Sequence, residues 1–153
     1  MVTGSNDKTI CIWDLSKQKY EEGYCDVLEG HTKSVETVIE LDDGKLASGA
    51  GDKEIRIWDL TKGSHENGYC RVLTGHMDWV KSLIQLSNGK LVSASDDKTI
   101  RIWDLSKNVD EEDFFMELHG HTDYINTIIQ LKNGKLASGS RDHTIRIWDL
   151  DKQ

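Results

Sequence analysis

Histidine, serine, aspartate and tryptophan recur together at fixed offsets along this chain. The sets are His31, Ser48, Asp52 and Trp58; His76, Ser93, Asp97 and Trp103; and His121, Ser138, Asp142 and Trp148. A serine, an imidazole and a carboxylate are the parts of a hydrolytic relay, in which the base takes the hydroxyl proton and the acid holds the base. One such set would point to a nucleophile. Three at one spacing point elsewhere. An enzyme needs one positioned nucleophile, whereas a repeating structure needs the same polar link in every unit. A buried imidazole can accept from a hydroxyl or an indole N–H on one side and donate to a carboxylate on the other. A satisfied network of that kind rigidifies a low-dielectric interior. The quartets are therefore read as structural, and no catalytic residue is assigned.

The spacing itself defines the elements that must hold them. Trp-Asp stands at Trp13-Asp14, Trp58-Asp59, Trp103-Asp104 and Trp148-Asp149, 45 residues apart each time. Gly-His keeps step at Gly30-His31, Gly75-His76 and Gly120-His121. A period of that size marks stacked copies of one supersecondary unit. The chain divides into a partial repeat over 1–29, full repeats over 30–74 and 75–119, and a repeat over 120–153 that lacks its last strand. In the 75–119 copy the pattern predicts strands over 80–86, 90–95, 99–105 and 114–118. A tight hairpin is expected at Asn88-Gly89, where both residues tolerate positive φ, and a second turn at Asp96-Asp97-Lys98. The last strand recurs over 69–73 and 24–28. Four antiparallel strands per period make a β-propeller blade, so the chain reads as all-β with about three and a half blades.

Gly-His, the Ser-Gly-Ser-x-Asp-x-Thr-Ile stretch and the closing Trp-Asp together resemble the WD-repeat β-propeller family, over essentially the whole chain. The first, partial copy keeps Thr3, Asp7, Thr9, Ile10, Trp13 and Asp14. The resemblance implies the same structural role for each quartet. It also implies a non-catalytic scaffold that holds peptides or domains of other proteins, in assemblies such as ubiquitin ligases, signalling or trafficking complexes. The alternative is a substrate-recruiting repeat portion of a larger kinase or ubiquitin ligase whose catalytic part lies outside these residues.

The informative residues are those that vary against this constant ground. Just after Gly-His the copies read Ser34, Trp79 and Tyr124, and two residues later Glu36, Lys81 and Asn126. Just before the quartet aspartate they read Gly51, Asp96 and Arg141, with Asn6 in the partial copy. Variable loop residues on a rigid scaffold are how a binding face is built. In WD-repeat proteins such phases line the top face around the central channel. Partner binding is therefore expected at Ser34, Glu36, Trp79, Lys81, Asp96, Tyr124, Asn126 and Arg141. Aromatic residues and arginine are enriched where interfaces concentrate their energy. The competing reading packs Trp79 and Tyr124 against the Gly-His loop of their own blade.

Composition narrows the partners. The 153 residues carry a net charge of −8, which repels phosphate and disfavours nucleic acid. No apolar run approaches the roughly 20 residues of a bilayer helix, so no membrane partner is expected, and MVTGSNDKTI has no secretory pattern. Lys17, Lys19, Lys62, Lys107 and Lys152 are spread over all four repeats beside acidic loops such as that at 110–113 and read as solvated surface. The cysteines, Cys11, Cys25 and Cys70, are odd in number and fit no zinc spacing. Cys25, Cys70 and Phe115 share one phase, which suggests a small apolar core position. A reducing compartment follows, the cytoplasm or the nucleus. His119 and His121 form a His-x-His pair, but His121 belongs to a quartet and Glu29 and Thr74 occupy the phase of His119. No metal or cofactor is expected. His65 and His143 read as solvent-exposed.

Ring closure is the open question. Segments 1–18 and 136–153 share one repeat phase, so the ends overlap. The favoured expectation is a piece of a longer propeller, with further WD repeats in cis. Self-association to close the ring and an open arc with exposed apolar faces are the alternatives.

Overall fold

The computed structural model describes residues 1–19, 25–63, 69–108, 111 and 114–150. Tyr24, His65, Lys152 and most of the acidic loop at 110–113 lie outside the described residues. The described residues form fourteen strands in four antiparallel sheets. The first sheet holds β1 (Val2–Gly4), β2 (Ile10–Trp13) and β3 (Cys25–Leu28). The second holds β4 (Val35–Glu40), β5 (Leu46–Ala50), β6 (Ile55–Trp58) and β7 (Cys70–Leu73). The third holds β8 (Val80–Gln85), β9 (Leu91–Ser95), β10 (Ile100–Trp103) and β11 (Phe115–Leu118). The fourth holds β12 (Ile125–Gln130), β13 (Leu136–Ser140) and β14 (Ile145–Trp148). Within each sheet the strands lie in chain order, and β4, β8 and β12 contact one another in succession. The sheets are stacked blades, and these strands are their inner edges.

Strand alternation explains the stacking. Along Ile55–Arg56–Ile57–Trp58, successive side chains leave opposite faces. Ile55 and Ile57 face the third sheet and pack with Leu91 and Trp103. Trp58 faces the first sheet and packs with Ile10 and Leu28. The same division repeats at the next boundary, where Ile100 and Ile102 meet Leu136 and Trp148. Each blade therefore shows an indole face backwards and an isoleucine face forwards.

Three local expectations needed correction. The hairpin at Asn88-Gly89 is not a two-residue turn. Leu86 N–H donates to Lys90 O at 2.9 Å and Gly89 N–H to Leu86 O at 2.8 Å. Only Gly89 has positive φ, at +83°, which makes a three-residue loop with a left-handed closing residue. The third strand stops at Trp103 rather than Leu105, because Asp104 Oδ1 accepts from Ser106 N–H and O–H at 3.2 and 2.6 Å and turns the chain. The phase of Cys25, Cys70 and Phe115 is not core. Both thiols are free and half-buried, and Phe115 is 39% exposed, because this phase lies on the outermost strand.

Candidate functional site

The third blade shows how one quartet is assembled. His76 lies in the loop entering β8, Ser93 on β9, Asp97 in the β9–β10 turn and Trp103 on β10. His76 Nδ1 lies 2.7 Å from Asp97 Oδ2, and His76 Nε2 lies 2.7 Å from Ser93 Oγ. Trp103 Nε1 donates to Ser93 Oγ at 2.8 Å. The network places the imidazole proton on Nδ1, with the serine hydroxyl donating to Nε2. The indole therefore reaches the serine, not the histidine. His31 meets Ser48 at 2.7 Å and Asp52 at 2.9 Å, and Trp58 meets Ser48 at 2.9 Å. His121 meets Ser138 at 2.8 Å and Asp142 at 2.7 Å, and Trp148 meets Ser138 at 2.8 Å.

Each aspartate does more than hold its imidazole. Asp97 Oδ2 also accepts from Met77 N–H at 2.9 Å, and Oδ1 from Thr99 N–H and O–H at 3.0 and 2.7 Å. These bonds pin a turn whose third residue is left-handed without being glycine: Lys8, Lys53, Lys98 and His143 have φ of 79°, 74°, 72° and 66°. Burial alone would raise the Asp97 carboxyl. The His76 contact and the Thr99 and Met77 donors outweigh it and hold the group well below the usual carboxylate range. Asp52 and Asp142 are lowered in the same way. Burial pulls the His31 imidazole down, and Asp52 offsets only part of that.

An arginine that sequence reasoning passed over completes this corner. Arg101 lies on β10 between the quartet phases, with Cζ 5.8 Å from the Trp103 ring and 4.5 Å from the Phe115 ring. Its Nη2 pairs with Glu117 at 2.6 Å. A β-carbon on Gly75 would stand 1.8 Å from Arg101 Nη1. Gly75 also has φ of +144°, so the Gly of Gly-His serves both backbone and guanidinium.

The variable residues come together by a mechanism the sequence did not reveal. Each inner strand carries a bulge, between Val35 and Thr37, Val80 and Ser82, and Ile125 and Thr127. The extra residues are Glu36, Lys81 and Asn126. A bulge re-aims a side chain out of the strand's alternation, and here it sends the variable position to one end of the blade. Backbone bonds bring the other variable phases beside it: Gly51 N–H to Ser34 O, Asp96 N–H to Trp79 O and Arg141 N–H to Tyr124 O, each at 2.9 Å.

The result is one polar–aromatic patch running across the blades. Lys81 forms an ion pair with Glu36 of the preceding blade and lies 5.4 Å over the Trp79 ring. Trp79 lies against Gly51 of that preceding blade, where a β-carbon would stand 2.9 Å from the indole. Arg141 lies 5.5 Å over the Tyr124 ring. Ser34 Oγ is 2.7 Å from Asn6 and 2.8 Å from Glu36. Burial raises the Asp96 carboxyl, with Asp78 and Glu36 adding to it and Lys81 and Arg141 opposing it. Asn126 and Arg141 are exposed, and Trp79, Lys81, Asp96 and Tyr124 are half-buried.

The His-x-His pair and the His31, Asp52, Glu54 cluster lie at or beside the quartets. His119 stands in solvent beside Glu117 at 3.1 Å, while the ring of His121 is buried. His31, Asp52 and Glu54 lie within reach of one another. Their donors are engaged, since Asp52 holds His31 and Glu54 pairs with Arg56 at 2.8 Å.

Four-stranded blades, inner edges in succession and a repeated buried quartet define this chain as a run of β-propeller blades. The signature of the WD domain, G-beta repeat family (WD40) matches residues 1–14, 23–59, 67–104 and 113–149, and the chain belongs to that family. Three solved structures illustrate the likeness. The WD40 beta propeller domain of Doa1 superposes with a TM-score of 0.80 at 28% identity, covering 99% of this chain and 47% of that one. U3-55K gives 0.78 at 25% identity, covering 99% and 45%. The RRP9 WD40 repeats give 0.78 at 25% identity, covering 99% and 44%. The chain thus spans under half the length of each of these structures. A search of curated proteins found no significant match.

Proposed function

We propose that this chain is a non-catalytic protein–protein interaction scaffold, and that its partners are peptides or protein domains held on the face formed by Glu36, Trp79, Lys81, Asp96, Tyr124 and Arg141, with Ser34 and Asn126 at its margins. The observation that carries this reading is a contrast between the two polar constellations. In the quartets every hydroxyl and imidazole nitrogen is engaged, and Ser48, Ser93 and Ser138 are at most 1% exposed. The indole N–H takes one of the two lone pairs of each serine oxygen, and burial closes the approach of a substrate to the other. In the variable patch the side chains are half-exposed, chemically mixed and different in every blade. Partially buried aromatics stacked with cations are ready anchors for a partner.

The three free thiols support the reading of a reducing compartment, the cytoplasm or the nucleus. The test separates face from fold. The Lys81→Ala, Arg141→Ala double variant should melt with the parent chain and lose most of the partners that crosslinking recovers from native lysate. An unchanged partner set with unchanged melting overturns the assignment of this face.

A further inference from the structure

A hollow of about 290 Å³ lies between the second and third sheets, both of them four-stranded. It opens at the end of the blades opposite the variable face. The loop that joins β4 to β5, the residues that follow β6 and the start of β7 border it, whereas the Gly-His loops and quartet turns lie at the other ends of these strands. Its floor is apolar. Leu41 and Ile57 reach it from the core, and half-buried Leu105 of the third blade completes it.

Three cations and two carboxylates ring that floor, and four of the five are paired off. Lys45 Nζ meets Asp43 Oδ2 at 2.6 Å, and Lys62 Nζ meets Asp59 Oδ2 at 3.9 Å. Asp59 Oδ1 also accepts from Thr61 N–H and O–H at 3.2 and 2.6 Å. Lys45 holds the Asp43 carboxyl, and Thr61 the Asp59 carboxyl, below the usual carboxylate value. Arg71 is the fifth. Its Nη1 and Nη2 donate to the backbone carbonyls of Leu105, at 2.8 Å, and Lys107, and its Cζ stands 5.2 Å from the centre of the Phe114 ring. Among the described residues no carboxylate lies within ion-pair distance of it. Two carbonyls thus fix the guanidinium without neutralising it, and three of its five N–H donors remain. On a chain of net charge −8, this one hollow carries a surplus positive charge.

The third blade repeats the rim but not its unpaired member. Lys90, Ile102, Asp104 and Lys107 line the matching hollow at the phases of Lys45, Ile57, Asp59 and Lys62, and Met116 stands at the phase of Arg71. Arg71 therefore belongs to one blade and not to the repeat, as the residues of the variable face do. We propose that this hollow is a second partner site, and that it takes an extended segment in which an aliphatic residue stands beside a glutamate or aspartate. The aliphatic side chain covers Leu41, Ile57 and Leu105, and the carboxylate meets the Arg71 guanidinium, a charge-assisted pairing stronger than a neutral one. The size suits side chains rather than a whole small molecule, since pockets that enclose such ligands span about 300–1,000 Å³. The net negative charge repels an acidic segment from the rest of the chain, so the surplus cation fixes where it docks.

The experiment titrates the full, isotope-labelled chain with three capped peptides, Gly-Glu-Leu-Glu-Gly, Gly-Gln-Leu-Gln-Gly and Gly-Lys-Leu-Lys-Gly, followed by nuclear magnetic resonance. The glutamate peptide should shift the Arg71 guanidinium and Leu105 amide signals saturably, and the lysine peptide should leave them in place. Arg71→Met, which copies the third blade, should weaken the glutamate peptide about tenfold, the worth of one charged hydrogen bond. Lys45→Gln alters a half-exposed side chain and leaves Asp43 without its cation. It should weaken the same peptide with an unchanged melting temperature, so the test stands if Arg71→Met does not fold. The Lys81→Ala, Arg141→Ala chain should bind the peptide like the parent, which separates this site from the variable face. Equal binding of the glutamate and glutamine peptides overturns the proposal, as does an equal response to acetate alone at the same concentration, which would mark an adventitious ion only. So does a glutamate peptide that shifts neither signal, or one that binds Lys45→Gln as tightly as the parent.

Discussion

Trp103 Nε1 donates to Ser93 Oγ at 2.8 Å, from one middle strand of its blade to the other. The Ser93 hydroxyl donates in turn to His76 Nε2, so three side chains from three elements meet at one buried oxygen. The same relation holds for Trp58 with Ser48 and Trp148 with Ser138. Replacing Ser93 with alanine strands the indole N–H and the imidazole nitrogen together. An unsatisfied buried polar group costs about 1–3 kcal/mol, and in a chain of this size each kcal/mol lowers the melting temperature by roughly 2–4 °C. Ser93→Ala should therefore melt several degrees below the parent chain. A serine-directed fluorophosphonate should leave Ser48, Ser93 and Ser138 unlabelled in the folded protein, which intact-mass spectrometry will show.

Stability should fall on the acid side in two stages. His31 is held below its usual value of 6.5, so the folded state binds fewer protons than the unfolded one. Its contribution is full above that value and declines as pH drops through it. Asp52, Asp97 and Asp142 are lowered from 3.8. Their contribution is present above 3.8 and lost as pH falls through the folded values. Asp96 is raised and works the other way, contributing most below 3.8 and fading as pH rises through its folded value. Three lowered carboxylates outweigh it. Melting followed near neutral pH, at about pH 5 and at about pH 3.5 should show a modest loss and then a steep one. Asp97→Asn should flatten the steep limb.

Blade contact leaves no room at the glycines of β1 and β5. A β-carbon on Gly49 would stand 2.5 Å from Val80 Cγ1. Gly49→Val should cost about 1–3 kcal/mol, the usual range for overpacking a filled core, read as a lowered denaturant midpoint.

Gly51 is the platform for Trp79. A side chain there collides with the indole at 2.9 Å, so Gly51→Val should push Trp79 toward water. Its tryptophan fluorescence should shift to longer wavelength, and acrylamide should quench it more readily. Unchanged emission would show that the ring does not rest on that turn.

The repeat made the fold legible. A 45-residue period in Trp-Asp and Gly-His fixed blade count and strand order, because each copy must bury the same two faces. The quartet members were legible for the same reason: His76, Ser93, Asp97 and Trp103 recur where other residues drift. What stayed hidden depends on the backbone path. The bulges at Glu36, Lys81 and Asn126 have no residue signature, since Glu, Lys and Asn share no turn chemistry. Lys98 is left-handed because Asp97 and Thr99 lock the turn, against the preference of lysine itself. Arg101 carried no signal in the sequence, and its burial comes from the Trp103 and Phe115 rings, the Glu117 carboxylate and the bare α-carbon of Gly75.

The most direct test of the account is quantitative crosslinking mass spectrometry on three chains side by side: the parent, the Lys81→Ala, Arg141→Ala variant, and Ser93→Ala assayed below its melting temperature. The account predicts that the face variant keeps its melting temperature and loses its protein partners, while Ser93→Ala melts early yet still captures them. Retention of the full partner set by the face variant, or loss of partners by Ser93→Ala while it remains folded, would contradict it.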